Sequence, residues 1–233
     1  MNEPLMIGTR GWEHALWLGD FYPDELPPDW RFCYYSNNLR SVLVPQDIWT
    51  ETGRAQVVQW VEDCDLAFRF VIELPATLGV SLTSARREPD IERFLETIEP
   101  VAGRLAGLLW RAGADAPADS GAFEELIHRL ADIAPLCVDL PDGPWRAPQL
   151  LAALARQGAG LAWHCGREPA PHPGGRLMVA YASAAPAREV RRFIEQLAQW
   201  QQHDARAGLF FSEPERAAKA AQEARLIAEL MGV

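Results

Sequence analysis

Short apolar runs of strand length recur along the chain at residues 5–8, 41–44, 67–74, 105–110, 136–140, 160–163, 177–181 and 208–211. They are continuous more than alternating, which is the pattern of strands covered on both faces. Helical signals fill most of the intervals. Residues 29–38 follow Pro27-Pro28 with Asp29 placed to cap, residues 50–62 open on Thr50, and residues 90–104 follow Pro89, although Pro100 must kink or split that helix. Residues 120–134 carry Phe123, Leu126, Ile127, Leu130 and Ile133 at the three-and-four spacing of one buried stripe. Residues 146–157 stop at Gly158, and residues 187–203 and 213–231 complete the set. After the sixth run only REPAPHPGG follows, so one crossover helix is expected to be lost or reduced to a loop.

Strands alternating with helices argue for parallel β-α-β units, and eight of them argue for an α/β fold closed as a TIM-type (β/α)8 barrel, irregular after its sixth strand. An open doubly wound sheet is the competing architecture. No Gly-rich dinucleotide fingerprint follows any strand, because Gly8-Thr-Arg-Gly11 has the wrong spacing and leads into aromatic residues. At 233 residues and 48% hydrophobic, the chain is expected to form one domain over residues 1–233.

Composition narrows the chemistry. The net charge of −10, from 32 acids and 22 bases, repels phosphate backbones unless positive charge is gathered locally, so nucleic acid is a disfavoured partner. All the bases but one are arginine, and the exception, Lys219, lies in an Ala-rich helical stretch. A Schiff-base lysine and a Walker-type phosphate lysine are therefore both excluded. The four cysteines, Cys33, Cys64, Cys137 and Cys165, form no CxxC pair and read as reduced thiols of a cytoplasmic protein. No run approaches a membrane span, and MNEPLMIG does not resemble an export signal. No cofactor is implied, and composition leaves the oligomeric state open.

The stretch GTRGWEHALWLGDFYP, residues 8–23, follows the first strand and concentrates glycines and large aromatics. Gly8, Gly11, Trp12, Trp17, Gly19, Phe21, Tyr22 and Pro23 match the opening motif of the YecE-like family, also called domain of unknown function 72, which this chain resembles over nearly its whole length. The resemblance implies a fold similar to TIM barrels and leaves the activity undefined. Polar signatures of that family are mostly replaced here. Val42, Leu43, Val44 and Pro45 stand where it has a Val-Glu-x-Asn strand end, and its following aromatic pair survives loosely as Ile48 and Trp49. Glu73 stands where a lysine closes the third strand, before Leu74 and Pro75. Asp139, Asp142 and Trp145 remain of a segment whose arginine and histidine are gone, Ala180–Ser183 replace Arg-x-His-Gly, and Phe211, Ser212 and Glu213 replace Phe-Asn-Asn. Replacement at strand ends, where TIM-barrel chemistry sits, points to lost or altered activity.

Candidate residues group at that face. Arg10, between two glycines, suits a carboxylate or phosphate, or else a salt bridge to a strand-end acid. Trp12, Trp17 and Tyr22 would either form a stacking wall for a ligand or plug the mouth. Glu73, Asp139 and Glu213 are the candidate catalytic acids, able to work as general acid and base if about 5 to 10 Å apart, and otherwise spent on Arg10 and Arg111. His164, Cys165 and His172 with Asp139 offer mixed ligands without diagnostic spacing, so no metal site is assigned. Arg86-Arg87 and Arg191-Arg192 read as solvated surface charge.

Three functional readings follow. The first is a barrel binding a small polar or anionic ligand through Arg10, Trp12, Trp17, Tyr22, Arg111 and His164. The second is a hydrolase of glycosidic or phosphoester bonds using paired carboxylates. The third is a structural or partner-binding barrel.

Overall fold

A computed structural model describes residues 4–75, 77–80, 87–113, 120–171 and 174–233, with the side chains of residues 79, 80, 87 and 120 excepted. Met1, Arg86 and His172 lie outside the described residues.

Each apolar run forms a strand: β1 Met6–Arg10, β2 Ser41–Val44, β3 Arg69–Glu73, β4 Leu105–Arg111, β5 Leu136–Asp139, β6 Gly160–Leu161, β7 Trp163–His164, β8 Leu177–Ala182 and β9 Arg206–Phe211. All pair in parallel, in the order β6-β5-β4-β3-β2-β1-β9-β8-β7. β6 and β7 are one stretch interrupted only at Ala162, whose N–H still reaches Val138 O at 2.9 Å. The first half pairs with β5 and the second with β8, so this stretch brings the sheet round into a nearly closed TIM-type barrel.

Two apolar layers follow from the strand pleat, in which neighbouring side chains point to opposite faces. Met6, Leu43, Val71, Leu109, Cys137, Ala162, Val179 and Phe210 fill the barrel interior as one buried cluster. Their neighbours Ile7, Val42, Ile72, Trp110, Val138, Trp163, Ala180 and Leu209 belong to the outer cluster, against the helices. Those helices are α1 Arg31–Asn38, α2 Arg54–Glu62, the short α3 Thr77–Val80, α4 Arg87–Ile98, α5 Ser120–Ala131, α6 Pro148–Arg156, α7 Ala187–Gln201 and α8 Ala217–Met231. The expected stripe on α5 is fully buried at Phe123, Leu126, Ile127 and Leu130. In α8, buried Ala217, Ala218, Ala220, Ala221, Ala224 and Ala228 make a smooth face that lets the helix lie close on β1 and β9. Between β7 and β8 the described residues form turns and no helix, as the sequence led us to expect.

Helix starts differ from the sequence reading at two places. Asp29 does not cap: Pro28–Trp30 form a separate 3-10 turn, and α1 begins at Arg31 without a side-chain cap. Thr50 is likewise outside α2, which starts at Arg54 after Gly53; its hydroxyl donates to Asp47 O at 3.2 Å within the 3-10 turn Gln46–Thr50. In both, a proline fixes a tight turn ahead of the helix and takes up the residues the cap pattern had claimed. Pro100, lacking an N–H, divides its helix as expected, with α4 ending at Ile98 and a 3-10 segment Glu99–Arg104 following.

The loop over residues 8–23 is tied into the outer layer. Gly11 takes a left-handed φ of 77°, and its N–H reaches Leu43 O at 2.8 Å. Gly8 lies so close to β2 that a Cβ would stand 2.0 Å from Ser41 O.

Candidate functional site

The alternation that fills the barrel also assembles its mouth. Arg10, Glu73, Arg111, Asp139, His164 and Tyr181 each stand two residues beyond an inward-facing or interior position: Gly8, Val71, Leu109, Cys137, Ala162 and Val179. All six therefore point inward at the C-terminal ends of six strands, the face on which TIM-barrel sites are built.

There they form one connected network. Arg10 donates from Nε to Glu73 Oε1 at 2.7 Å and from Nη2 to Oε2 at 2.8 Å, a bidentate pair. Glu73 also accepts the Gln46 N–H at 3.1 Å and the Tyr181 hydroxyl at 3.2 Å. Arg111 donates from Nε to Asp139 Oδ2 at 3.1 Å and from Nη2 to the Tyr181 hydroxyl at 2.9 Å, with Nη2 also 3.6 Å from Glu73 Oε1. Asp139 Oδ1 lies 3.0 Å from His164 Nε2, and the His164 ring stacks on Tyr181 at 5.0 Å and 15°. Glu73 is only 1% exposed and Asp139 8%, so these carboxylates sit behind the guanidiniums that neutralise them.

The electrostatics follow from that layering. Burial acts to raise the Asp139 carboxyl, but the hydrogen bond and charge of His164 and the charge of Arg111 outweigh it and hold the group below the ordinary aspartate value. Burial and the neighbouring Glu73 charge push the Tyr181 hydroxyl well above its usual value, so it remains protonated. Burial opposes the charge on Arg10 and Arg111, yet the adjacent acids, with Tyr181, more than offset it and raise both. Burial also raises the Cys165 thiol, which removes it as a thiolate nucleophile.

In front of the network is an open pocket of about 260 Å³. Its lining includes Arg10, Arg111, His164 and Tyr181 of the network, together with Cys165, Arg167, Ala182, Ser183 and Ser212. Arg167 comes from the loop that replaces a helix after β7. That loop is anchored by Glu168, which accepts from Arg146 Nη1 at 2.6 Å and from the His164 N–H at 3.2 Å.

Several sequence expectations are relocated. Trp12, Trp17 and Tyr22 are 5%, 3% and 1% exposed and do not line the pocket. Trp12 packs on Phe32 and Trp60 at 4.8 and 4.9 Å, Trp17 donates from Nε1 to Pro214 O at 2.6 Å, and the Tyr22 hydroxyl donates to Trp12 O. They are neither a stacking wall nor a plug, because the loop folds outward onto α1 and α2 where apolar surface awaits cover. Trp145 lies in the same outer layer, beside Trp110 and Phe123. Glu213 stands apart from the network, its carboxylate accepting the Ala184 N–H at 3.1 Å. Lys219 pairs with Asp20 on the surface. Among the described residues no group of three His, Cys, Asp or Glu side chains could hold a metal ion.

Tyr181 and Arg167 escaped the sequence reading. For Tyr181 a signal existed, since it is the last inward position of a strand whose alternation could be counted. Arg167 had none: it sits on a loop with no periodicity.

Comparison with known proteins fits this architecture. The sequence profile described as "Protein of unknown function DUF72" matches residues 6–233. A DUF72 protein from Enterococcus faecalis V583 superposes with a TM-score of 0.72 at 15% identity, covering 99% of this chain and 98% of that one. Another, from Thermotoga maritima MSB8, gives 0.73 at 17% identity, covering 98% and 100%. A methyltransferase from Methanosarcina mazei gives 0.56 at 9% identity over 100% of this chain and 95% of its own, a likeness of fold alone. No curated protein shows significant sequence similarity. With its profile match spanning all but the first residues, the chain belongs to the DUF72 family, whose biochemical function is unassigned.

Proposed function

We propose that the barrel mouth binds a small anion, held chiefly by arginine. The observation that carries this is the layering of charge. Glu73 and Asp139 cancel Arg10 and Arg111 from behind, while the pocket in front meets guanidinium, imidazole and hydroxyl groups. Arg10 Nη2 also lies 3.6 Å from the exposed Asp47, and Arg167, on the pocket lining, has no ion-pair partner among the described residues, so it is the cation left for a ligand. Nη1 of Arg10 and of Arg111 likewise has no hydrogen-bond partner among them, so oriented donors remain for a ligand. In a chain of net charge −10 the three arginines of the mouth gather positive charge locally, offset in part by Asp47, and so favour anions there.

The paired-carboxylate hydrolase is less well supported. Both acids are committed to arginines behind the pocket, and Asp139 is held ionised, whereas glycoside hydrolysis needs one carboxyl kept protonated as the acid. A purely structural barrel is disfavoured by a mouth left open by Trp12, Trp17 and Trp145. Among the described residues no helix is long and apolar enough to cross a membrane, and the four cysteines are free, which suits a reducing compartment such as the cytoplasm.

Calorimetric titration with sulfate and with inorganic phosphate tests the reading. Arg167→Gln, an exposed change remote from the core, should weaken binding about tenfold, the scale of one charge-assisted contact. No measurable sulfate or phosphate binding, or binding indifferent to Arg167, sinks the proposal. Melting temperature alone does not decide it, since sulfate stabilises folded proteins without a site.

A further inference from the structure

We infer that His164 is a general base that removes a proton from a carbon next to a carbonyl group in the anion bound at this mouth. The inference rests on the anion-binding reading and adds a reaction to it. Its substrate class is a small carbonyl compound carrying a carboxylate or a phosphate.

The base is defined by what surrounds it. Asp139 is ionised and can only accept, so in the neutral imidazole, the form that acts as a base, the contact at 3.0 Å places the proton on His164 Nε2. The lone pair is then on Nδ1, which has no hydrogen-bond partner among the described residues. The ring's plane is fixed by stacking on Tyr181, and the ring lines the pocket. A histidine whose tautomer is set by a buried carboxylate, open to a ligand on its other side, is the arrangement general-base catalysis requires. Other routes lack their residues. Cys165 is held as a thiol, the only lysine is paired with Asp20 on the surface, and the carboxylates are spent on arginines.

The step balances within the site. Nδ1 takes the proton as the C–H bond breaks, and the bonding pair becomes the C=C of an enolate. The negative charge moves to the former carbonyl oxygen, where guanidinium donors of Arg111 and Arg10 offset it. Return of a proton from the imidazolium to carbon restores the carbonyl compound; nothing is oxidised or reduced. Hydrolysis would need in addition a positioned water and a second group to protonate the leaving oxygen. Proton transfer needs only one base facing cations, which is what the mouth holds.

In deuterium oxide the reaction writes itself as exchange of carbon-bound hydrogen, followed by proton NMR. Pyruvate serves as the carboxylate probe and hydroxyacetone phosphate as the phosphate probe, and the faster arm identifies the headgroup. Exchange above the buffer rate is expected in at least one, suppressed by sulfate, and reduced at least about a hundredfold in His164→Gln and His164→Asn, the range of a lost general base. If the wild-type protein binds sulfate yet exchanges neither probe, the catalytic inference is overturned while the anion site stands. Exchange that persists in folded His164 variants overturns it too. Should neither variant fold, competition by sulfate in the wild-type protein decides: exchange that sulfate leaves unaffected comes from elsewhere, and the inference falls.

Discussion

Arg10 and Glu73 meet through two parallel hydrogen bonds of 2.7 and 2.8 Å, although 63 residues separate them in sequence. The carboxylate is buried and the guanidinium half-buried, so the pair closes the barrel interior on one side and presents charge to solvent on the other. Removing the acid leaves Arg10 with only the exposed Asp47, 3.6 Å away, and takes from Arg111 a neighbour at 3.6 Å while Asp139 remains. Glu73→Gln should therefore cost about 2 to 3 kcal/mol, below the full figure for a completely buried pair because the arginines retain some water. Urea denaturation measures it. A loss under about 0.5 kcal/mol would mean the pair contributes no more than a surface ion pair.

Asp139 predicts a pH dependence of known sign. Its carboxyl is held below the ordinary value in the folded protein, so its contribution to stability is complete above the unfolded value of about 3.9 and is lost as pH falls through the lower, folded value. Glu168, lowered mainly by Arg146 against the effect of burial, adds to the same acid limb. Stability followed by urea midpoints should fall steeply below about pH 4, and less steeply in Asp139→Asn. Parallel acid limbs in the two proteins would exclude Asp139 as a source.

Gly8 tests how closely β1 and β2 approach. A Cβ would meet a backbone carbonyl at 2.0 Å, where no side chain can swing aside. Gly8→Ala should cost about 2 kcal/mol, lowering the melting temperature by about 4 to 8 °C in a chain of this size. Gly103→Ala, with nothing within 4 Å, is the control and should be nearly neutral. Equal shifts in both would contradict the packing described.

Trp12 separates scaffold from site. Trp12→Leu removes a ring packed on Phe32 and Trp60 and should destabilise by about 2 to 4 kcal/mol, with sulfate affinity unchanged. A loss of sulfate binding at full stability would return this residue to the ligand site.

Much of the barrel is legible without coordinates because apolar continuity is a local property. Eight buried strands need eight apolar runs, each run is written in consecutive residues, and all eight appear where a strand forms. The candidate acids Glu73 and Asp139 were legible as strand ends for the same reason. Helix starts at Asp29 and Thr50 were not, because neighbouring prolines set competing 3-10 turns, a balance between two local signals of similar strength.

Which polar groups share a site was decided by closure. Sequence by itself determined the strands, the alternation along each and the scarcity of lysine, since these depend on residue type and spacing. Only the tertiary structure decided that Arg10 belongs to Glu73, that His164 belongs to Asp139, and that the aromatic loop serves the outer layer, since each depends on distances across the ring. Parallel pairing sets those distances through strand order and stagger, and neither is encoded in any one segment of the chain.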